Sequence, residues 1–593
     1  MARPSPSSGR VGWLSWPLVW VISLALAGGT GWVWVWRTAP WDAPDEPGHY
    51  LYAAWLSTRP WRQWLRPPHQ DFVVGDLEAA LLTSLAAHDW WARQGRTPPE
   101  PLPTRFAGDP VLAASGIQAT DEPPLFYLLP ALILRVRDGK GDPANVLPWL
   151  RLWSLSLRLS VVMVALLLAR RLWPHRPGRG LGLSLWPALL PMAGFIGSSF
   201  NNDSLAMAWG ALGFALLIVH PPARTRRFAL TAGWILAGPL VADVGLLYLV
   251  GLLALVLVWS WRYRRVVVVG LALLVLLGVW PVPSWAAGWR RQPALARSRW
   301  GPALAPTAAM WQYLEPKQVL GLRGQRLTLV AVAVAPTASV RLRLRLVADG
   351  HEHIAPCDLG PELGCRLAFN LSPTATSLRV EIKAVDDGAA SGIPRVRLRL
   401  LDAAGRDHLF NGSGLLPDRL GSPVWAWWER RLPLPAGFFA RALAPAAWDE
   451  AALFRYLIFA GLTWAGFWGY FGWLTRPLPW PGYLLAAAIT LMTAWGLARR
   501  SLAALRRYRR GMTTPTDRLL AMALAAVALL LMQVWLPMLG QSWQPQGRYL
   551  FPGLLPIACL LGLGGEAALP SVWRQRLPWL TPAALLALQA MAR

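Results

Sequence analysis

Cysteine is almost missing from this chain, with three in 593 residues. That scarcity excludes a scaffold held by several disulfides and a zinc site built from four thiolates. Cys357 and Cys365 lie in a polar stretch, where an oxidising compartment would let them pair; two free thiols are the alternative. Charge is scarce as well, at 15% against about 25% in soluble domains. Hydrophobic residues make up 54%, and apolar runs of roughly 17 to 25 residues recur along the chain. An ordinary soluble protein is excluded, and the reading is a polytopic α-helical membrane protein of about eleven spans.

Acidic residues are outnumbered, 31 against 58 Lys and Arg, which gives a formal charge of +27. In a soluble chain such a balance would suggest nucleic acid. Here the arginines gather between apolar runs, at Arg170 to Arg179, Arg224 to Arg227, Arg262 to Arg265, Arg499 to Arg510, and Arg574 with Arg576. Cytoplasmic loops touching anionic membrane lipids account for that pattern, and no nucleic-acid partner is needed.

The N-terminus lacks the short apolar core and small-residue cleavage site of a signal peptide. The run from about Val11 to Trp36 therefore reads as an uncleaved first span with its basic start inside. Residues 37–146 then form a first outer loop, in which Tyr50, Leu51, Ala53, Ala54 and Leu56 predict a short amphipathic helix at the interface. Leu125 to Val136 is too short to cross and predicts a half-helix on the outer surface. The next span carries Arg151 and Arg158, seven residues apart and near one helix face; arginine within a span marks a functional site by default. From about Val282 to Asp449 the period changes to two. Val340-Arg341-Leu342-Arg343-Leu344-Arg345-Leu346 puts leucines on one strand face and arginines on the other. The organisation is an N-terminal transmembrane module (1–281), an inserted extracytoplasmic antiparallel β-sandwich (282–449) and a C-terminal transmembrane module (450–593). Ala451 to Trp473 is read as interfacial or re-entrant, because a crossing there would put the Arg499 to Arg510 cluster outside.

With this sidedness Asp45, Glu46, His49, Asp121, Glu122, Asn202, Asp203, Asp243 and Gln546-Gly547-Arg548-Tyr549 all fall on the outer side, as a site at a membrane surface requires. A desolvated carboxylate is a better base, so Asp45 with Glu46 suits deprotonation of an acceptor hydroxyl. Arg548, at the mouth of a span, suits a lipid-linked phosphate, with Arg151 and Arg158 as further candidates. A helix terminus capped by Asp45 is the competing structural reading.

Asp45-Glu46, Pro123-Pro124-Leu125-Phe126-Tyr127, Arg151-Leu152-Trp153-Ser154 and Asn202-Asp203, in that order, resemble the GT-C superfamily of membrane glycosyltransferases. The closing Gln546-Gly547-Arg548-Tyr549-Leu550-Phe551-Pro552 and the inserted β-domain look like a bacterial branch of it. The resemblance implies inverting sugar transfer from a polyprenyl-phosphate-linked donor to a glycan, lipid or protein acceptor. Asp45 stands at the position of the base, and the site faces outward from the cytoplasmic membrane. It implies substrate-side roles for His49, Asp121, Glu122, Tyr127, Asn202, Asp203, Gln546 and Tyr549. Some relatives bind a divalent metal through the acidic residue before Pro-Pro, here Glu122. Metal dependence therefore stays open, with Glu46, His49 and Glu122 as candidate ligands. The rival readings are a transporter or flippase for a lipid-linked or anionic solute, and a non-catalytic glycan-assembly protein; the absence of a clear internal repeat counts against the first.

Overall fold

The computed structural model describes residues 14–64, 75–106, 122–137, 141–220, 225–238, 247–259, 309–314, 321–333, 340–348, 351–359, 365–375, 378–384, 396–406, 450–539, 545–570 and 577–592, with single residues between. Asp121, Asp243, the Arg262 to Arg265 cluster and the expected span from Arg265 to Pro281 lie outside the described residues.

The chain is mostly helical. Among the described residues, five helical segments are long and apolar enough to cross a membrane: Trp16–Arg37, Pro143–Leu172, Trp480–Arg509, Pro515–Trp535 and Gly547–Ala568. Helix α1 (Trp16–Arg37) starts with Pro17 in its first turn and buries Val19, Ser23, Ala27, Thr30, Gly31 and Trp34, one stripe at helical spacing. Most of that stripe is small, so neighbouring helices approach closely. Ser23 and Ser184 join their hydroxyls at 2.7 Å.

The loop after α1 forms α2 (Glu46–Ser57), α3 (Gly75–Ala87), α4 (Trp90–Arg93) and α5 (Leu128–Val136). Helix α2 corrects an expectation. It is not amphipathic, since every residue from Glu46 to Leu56 is buried. Leu81, Leu82, Leu85, Trp90, Trp91, Phe126 and Tyr127 of the same loop join its buried cluster, and Phe200 joins it from elsewhere in the chain. The period along α2 reports only α2, and a covering layer from elsewhere leaves no trace in it. Helix α5 does keep one apolar face open: Leu129, Leu132 and Val136 are exposed, in line with Leu125 before them.

Helix α6 (Leu147–Leu172) runs back along α1, and α7 (Pro177–Leu189) returns beside both. The chain breaks at Leu190-Pro191 before the short α8 (Pro191–Ile196), then enters α9 (Asp203–Val219), α10 (Thr225–Leu236) and α11 (Leu247–Trp259). After the strands come α12 (Glu450–Gly469), α13 (Trp480–Arg509), α14 (Pro515–Leu539), α15 (Leu554–Ala568) and α16 (Leu577–Met591).

The two ends of this bundle differ. At the Trp16 end, Trp16 Nε1 donates to the Pro174 carbonyl at 2.7 Å, Arg179 and Arg500 share Glu566, and Arg507 pairs with Asp517 at 2.5 Å. The Arg170 to Arg179 and Arg499 to Arg510 clusters thus meet at one end. At the Arg37 end, about 33 Å away for 22 residues at 1.5 Å each, the carboxylates collect.

Strands β1 (Ala309–Tyr313), β2 (Arg326–Ala333), β3 (Val340–Ala348), β4 (His351–Leu359), β5 (Cys365–Asn370), β6 (Leu378–Ala384) and β7 (Val396–Leu401) form two antiparallel sheets, ordered β1-β6-β3-β4 and β5-β2-β7. One buried cluster is shared by both, with Leu344 and Leu346 from β3, Val380 from β6, Leu327 and Leu329 from β2 and Leu400 from β7. Arg345 between the two β3 leucines is only half-buried, as the alternation predicts. Cys365 is disulfide-bonded, whereas Cys559 in α15 is free and buried.

Candidate functional site

The segment between α1 and α2 turns sharply, and Asp45 takes φ 61°, in the left-handed region. Non-glycine residues are uncommon there, and aspartate tolerates it better than most. Asp45 occupies the N-cap position of α2, and its carbonyl accepts the His49 N–H at 3.0 Å. Its side chain makes no capping bond. Oδ2 instead accepts from Arg548 Nη2 at 2.5 Å. The cap reading therefore covers the backbone of Asp45 and leaves the carboxylate unexplained.

Arg548 sits on a 3-10 turn, Gly547–Gly553, that opens α15. Two glycines seat this turn. A Cβ on Gly547 would come within 1.9 Å of the Phe467 nitrogen in α12, and one on Gly210 of α9 within 2.0 Å of the Pro552 carbonyl oxygen. Tyr248 fixes the same carbonyl with a 2.7 Å hydroxyl bond. Backbones in such contact leave little freedom for the guanidinium that the turn presents. Arg548 stacks over the Tyr549 ring, with Cζ 5.6 Å from its centroid. Its Nε lies 3.8 Å from Oδ2 of Asp203, the first residue of α9. Asn201 ties the pieces together: Nδ2 donates to the Pro44 carbonyl at 3.3 Å and Oδ1 accepts the Asp203 N–H at 2.8 Å. Three segments far apart in sequence thus bring two carboxylates to one guanidinium. All three side chains are mostly covered, at 7% exposure for Arg548, 16% for Asp45 and 20% for Asp203.

Glu46, one residue on, is fully buried. Arg151 grips it with two 2.8 Å bonds, Nε to Oε1 and Nη2 to Oε2, and Oε1 also accepts the Phe200 N–H at 3.0 Å. The remaining Arg151 donors go to the carbonyls of Val35, Thr38 and Ala39. Both side chains are bonded within the protein and buried. Together they bind the end of α1, the start of α2, α6 and the loop before α9.

Arg158 also lies away from the cluster. It is completely buried and donates to the carbonyls of Ala27, at 3.4 Å, and Ala188. The Leu190-Pro191 break frees the Ala188 carbonyl at the C-terminus of α7, and a cation is the natural partner for a helix C-terminus. This arginine within a span serves a helix end.

His49 lies one helical turn on from Asp45, its Nδ1 2.7 Å from the Tyr127 hydroxyl. Burial pushes His49 down to about 4, further than the Asp45 carboxylate raises it, so the ring is neutral at pH 7. Burial raises the Tyr127 phenol well above its ordinary value, and the charges of Glu122, Asp203 and Asp45 add to the effect. The phenol keeps its proton. Asn202 is buried at the N-cap position of α9, and Gln546 is half-buried ahead of the Arg548 turn. Among the described residues no group of three His, Cys, Asp or Glu side chains is placed to hold a metal. Of the three candidate ligands, Glu46 is committed to Arg151, and His49 Nδ1 to Tyr127.

Two contributors carried no signal in the sequence. Phe200 acts through its backbone N–H. Asp42, 2% exposed, pairs with Arg476 from the β8–β9 turn (Tyr470–Phe471, Arg476–Pro477) and lies 3.8 Å from Arg93. A comparison of the chain with protein-family models, curated proteins and solved structures finds no match.

Proposed function

We propose that this protein transfers a sugar from a polyprenyl-phosphate-linked donor to an acceptor hydroxyl at the outer face of the cytoplasmic membrane, with Asp45 as the base. The observation that carries the reading is the Asp45–Arg548–Asp203 cluster. A carboxylate held in a left-handed turn without a capping role stands there beside the guanidinium of a turn whose backbone is seated against two helices. In the resting protein Arg548 is engaged by Asp45. A donor phosphate competes for the same guanidinium, since both anions use its planar fork. Once the phosphate takes Arg548, Asp45 loses a counter-charge and becomes a stronger base. The acceptor proton passes to Asp45, the acceptor oxygen bonds to the anomeric carbon, and the bond from that carbon to the phosphate oxygen breaks. Its electron pair leaves on the phosphate beside Arg548, and the configuration inverts.

The arginine-rich end suits the cytoplasmic side, which leaves the cluster outside. The bonded Cys365 suits an oxidising compartment and supports an extracytoplasmic placement for the two sheets.

The test uses the full chain in nanodiscs with a polyprenyl-phosphate-linked hexose and a panel of hydroxyl acceptors, glycan, lipid and peptide, measuring released polyprenyl phosphate. Asp45→Asn keeps the size and cannot accept the proton, so release should fall by about 10² to 10⁴-fold. Wild-type release by both Asp45→Asn and Asp203→Asn would remove the reading.

A further inference from the structure

A cavity of about 710 Å³ opens at the Trp16 end of the bundle, between α7, α13, α15 and α16. Its size falls in the range of small-molecule sites, roughly 300 to 1,000 Å³. The walls are apolar, with Leu183, Leu485, Ile489 and Leu561 among them, while Arg176 and Arg179 stand at the mouth. Glu566 there pairs with both Arg179 and Arg500, so three arginines face one carboxylate and Arg176 stays exposed. The surplus at the mouth is positive.

Two features inside ask for more than a hydrocarbon tail. Trp186 and Thr493 both line the cavity and are each 6% exposed, yet Trp186 Nε1 and Thr493 Oγ1 have no hydrogen-bond partner among the described residues. An indole N–H only donates, so it needs an acceptor oxygen. Each sits seven residues from an arginine at the mouth, Arg179 and Arg500, about 10 Å deeper along its helix. In addition, Gly182 of α7 and Gly562 of α15 line the cavity, and a Cβ on either would meet nothing within 4 Å. Alanine would fit both positions and is the better helix former, so glycine here widens the space without serving helix contact.

We infer that this cavity binds an anionic glycerophospholipid, its phosphate at Arg176 and Arg179, its ester carbonyls within reach of Trp186 and Thr493, and an acyl chain along the leucines. A polyprenyl phosphate offers the phosphate and the tail but no ester carbonyl. The site lies at the opposite end of the bundle from Asp45 and does not depend on the proposed transfer.

The test is native mass spectrometry of the delipidated full chain titrated with phosphatidylglycerol, phosphatidylcholine or polyprenyl phosphate. One phosphatidylglycerol should be retained at least tenfold more tightly than either of the others. Gly182→Leu with Gly562→Leu fills the space and should weaken that retention at least tenfold, with an unchanged melting temperature when lipid-free. Arg176→Ala, at an exposed position that does not burden folding, should weaken it about fivefold. Equal retention of phosphatidylcholine, tighter retention of polyprenyl phosphate, or undiminished phosphatidylglycerol in Arg176→Ala would each overturn the assignment.

Discussion

Asp45 and Glu46 are neighbours and each meets an arginine, but the two ion clusters are built differently. Among the described residues Glu46 is the only carboxylate paired with Arg151, both its oxygens are bonded, and it is fully buried. Asp45 shares Arg548 with Asp203, so that cluster holds two negative charges and one positive, and its side chains keep some access to solvent. A pair with nothing to spare can only hold structure. A cluster with a surplus carboxylate can exchange partners, as a base beside a phosphate-binding arginine must.

The sharpest way to break this comparison is to remove one member of the closed pair. Glu46→Ala strands a buried guanidinium and should cost about 3 to 5 kcal/mol of stability. A melt of the purified chain checks it, and a loss under about 1 kcal/mol would mean that the Val35, Thr38 and Ala39 carbonyls satisfy Arg151 alone. Glu46→Leu with Arg151→Met should recover most of the loss, because no unpaired charge remains.

His49 provides the next largest effect, through pH. Its folded value of about 4 lies below the ordinary 6.5, so as pH falls the unfolded chain takes up a proton first. Stability from this group is fully present above 6.5 and is lost as pH falls from 6.5 to 4, by about 3 kcal/mol at most. Denaturation measured at pH 7 and pH 4.5 should show the slope, and His49→Gln should flatten it. An unchanged slope in that variant would assign the acid sensitivity elsewhere.

Gly210→Ala comes third. Its methyl would press on the Pro552 carbonyl and shift the turn that carries Arg548, at about 1 to 3 kcal/mol. Donor binding should weaken together with stability, whereas Gly233→Ala, with nothing within 4 Å inside α10, should leave donor binding unchanged and stability equal or higher by up to about 1 kcal/mol. The smallest effect on stability belongs to Asp45→Asn. Asp203 remains as a counter-charge and the cluster passes from one net negative charge to none, so the change should stay within about 1 kcal/mol. A large loss of fold in this variant would show Asp45 to be as structural as Glu46.

Composition and period alone determined the helical membrane character, the change to strands near Val340, the one-faced leucines of β3, and the acidic pair after the first apolar run as a place to look. These are local properties, because hydropathy and side-chain period act over a few residues. They did not determine which carboxylate of the pair is available. That depends on arginines 503 and 105 residues away, at Arg548 for Asp45 and Arg151 for Glu46. They could not separate Arg158, spent on a freed helix carbonyl, from an arginine waiting for phosphate, nor foresee that α2 is buried from Glu46 to Leu56 by segments distant in sequence. A charge is explained by what satisfies it, and in this chain the satisfying group is mostly a distant side chain or a backbone N–H or carbonyl, which only the tertiary structure brings into contact.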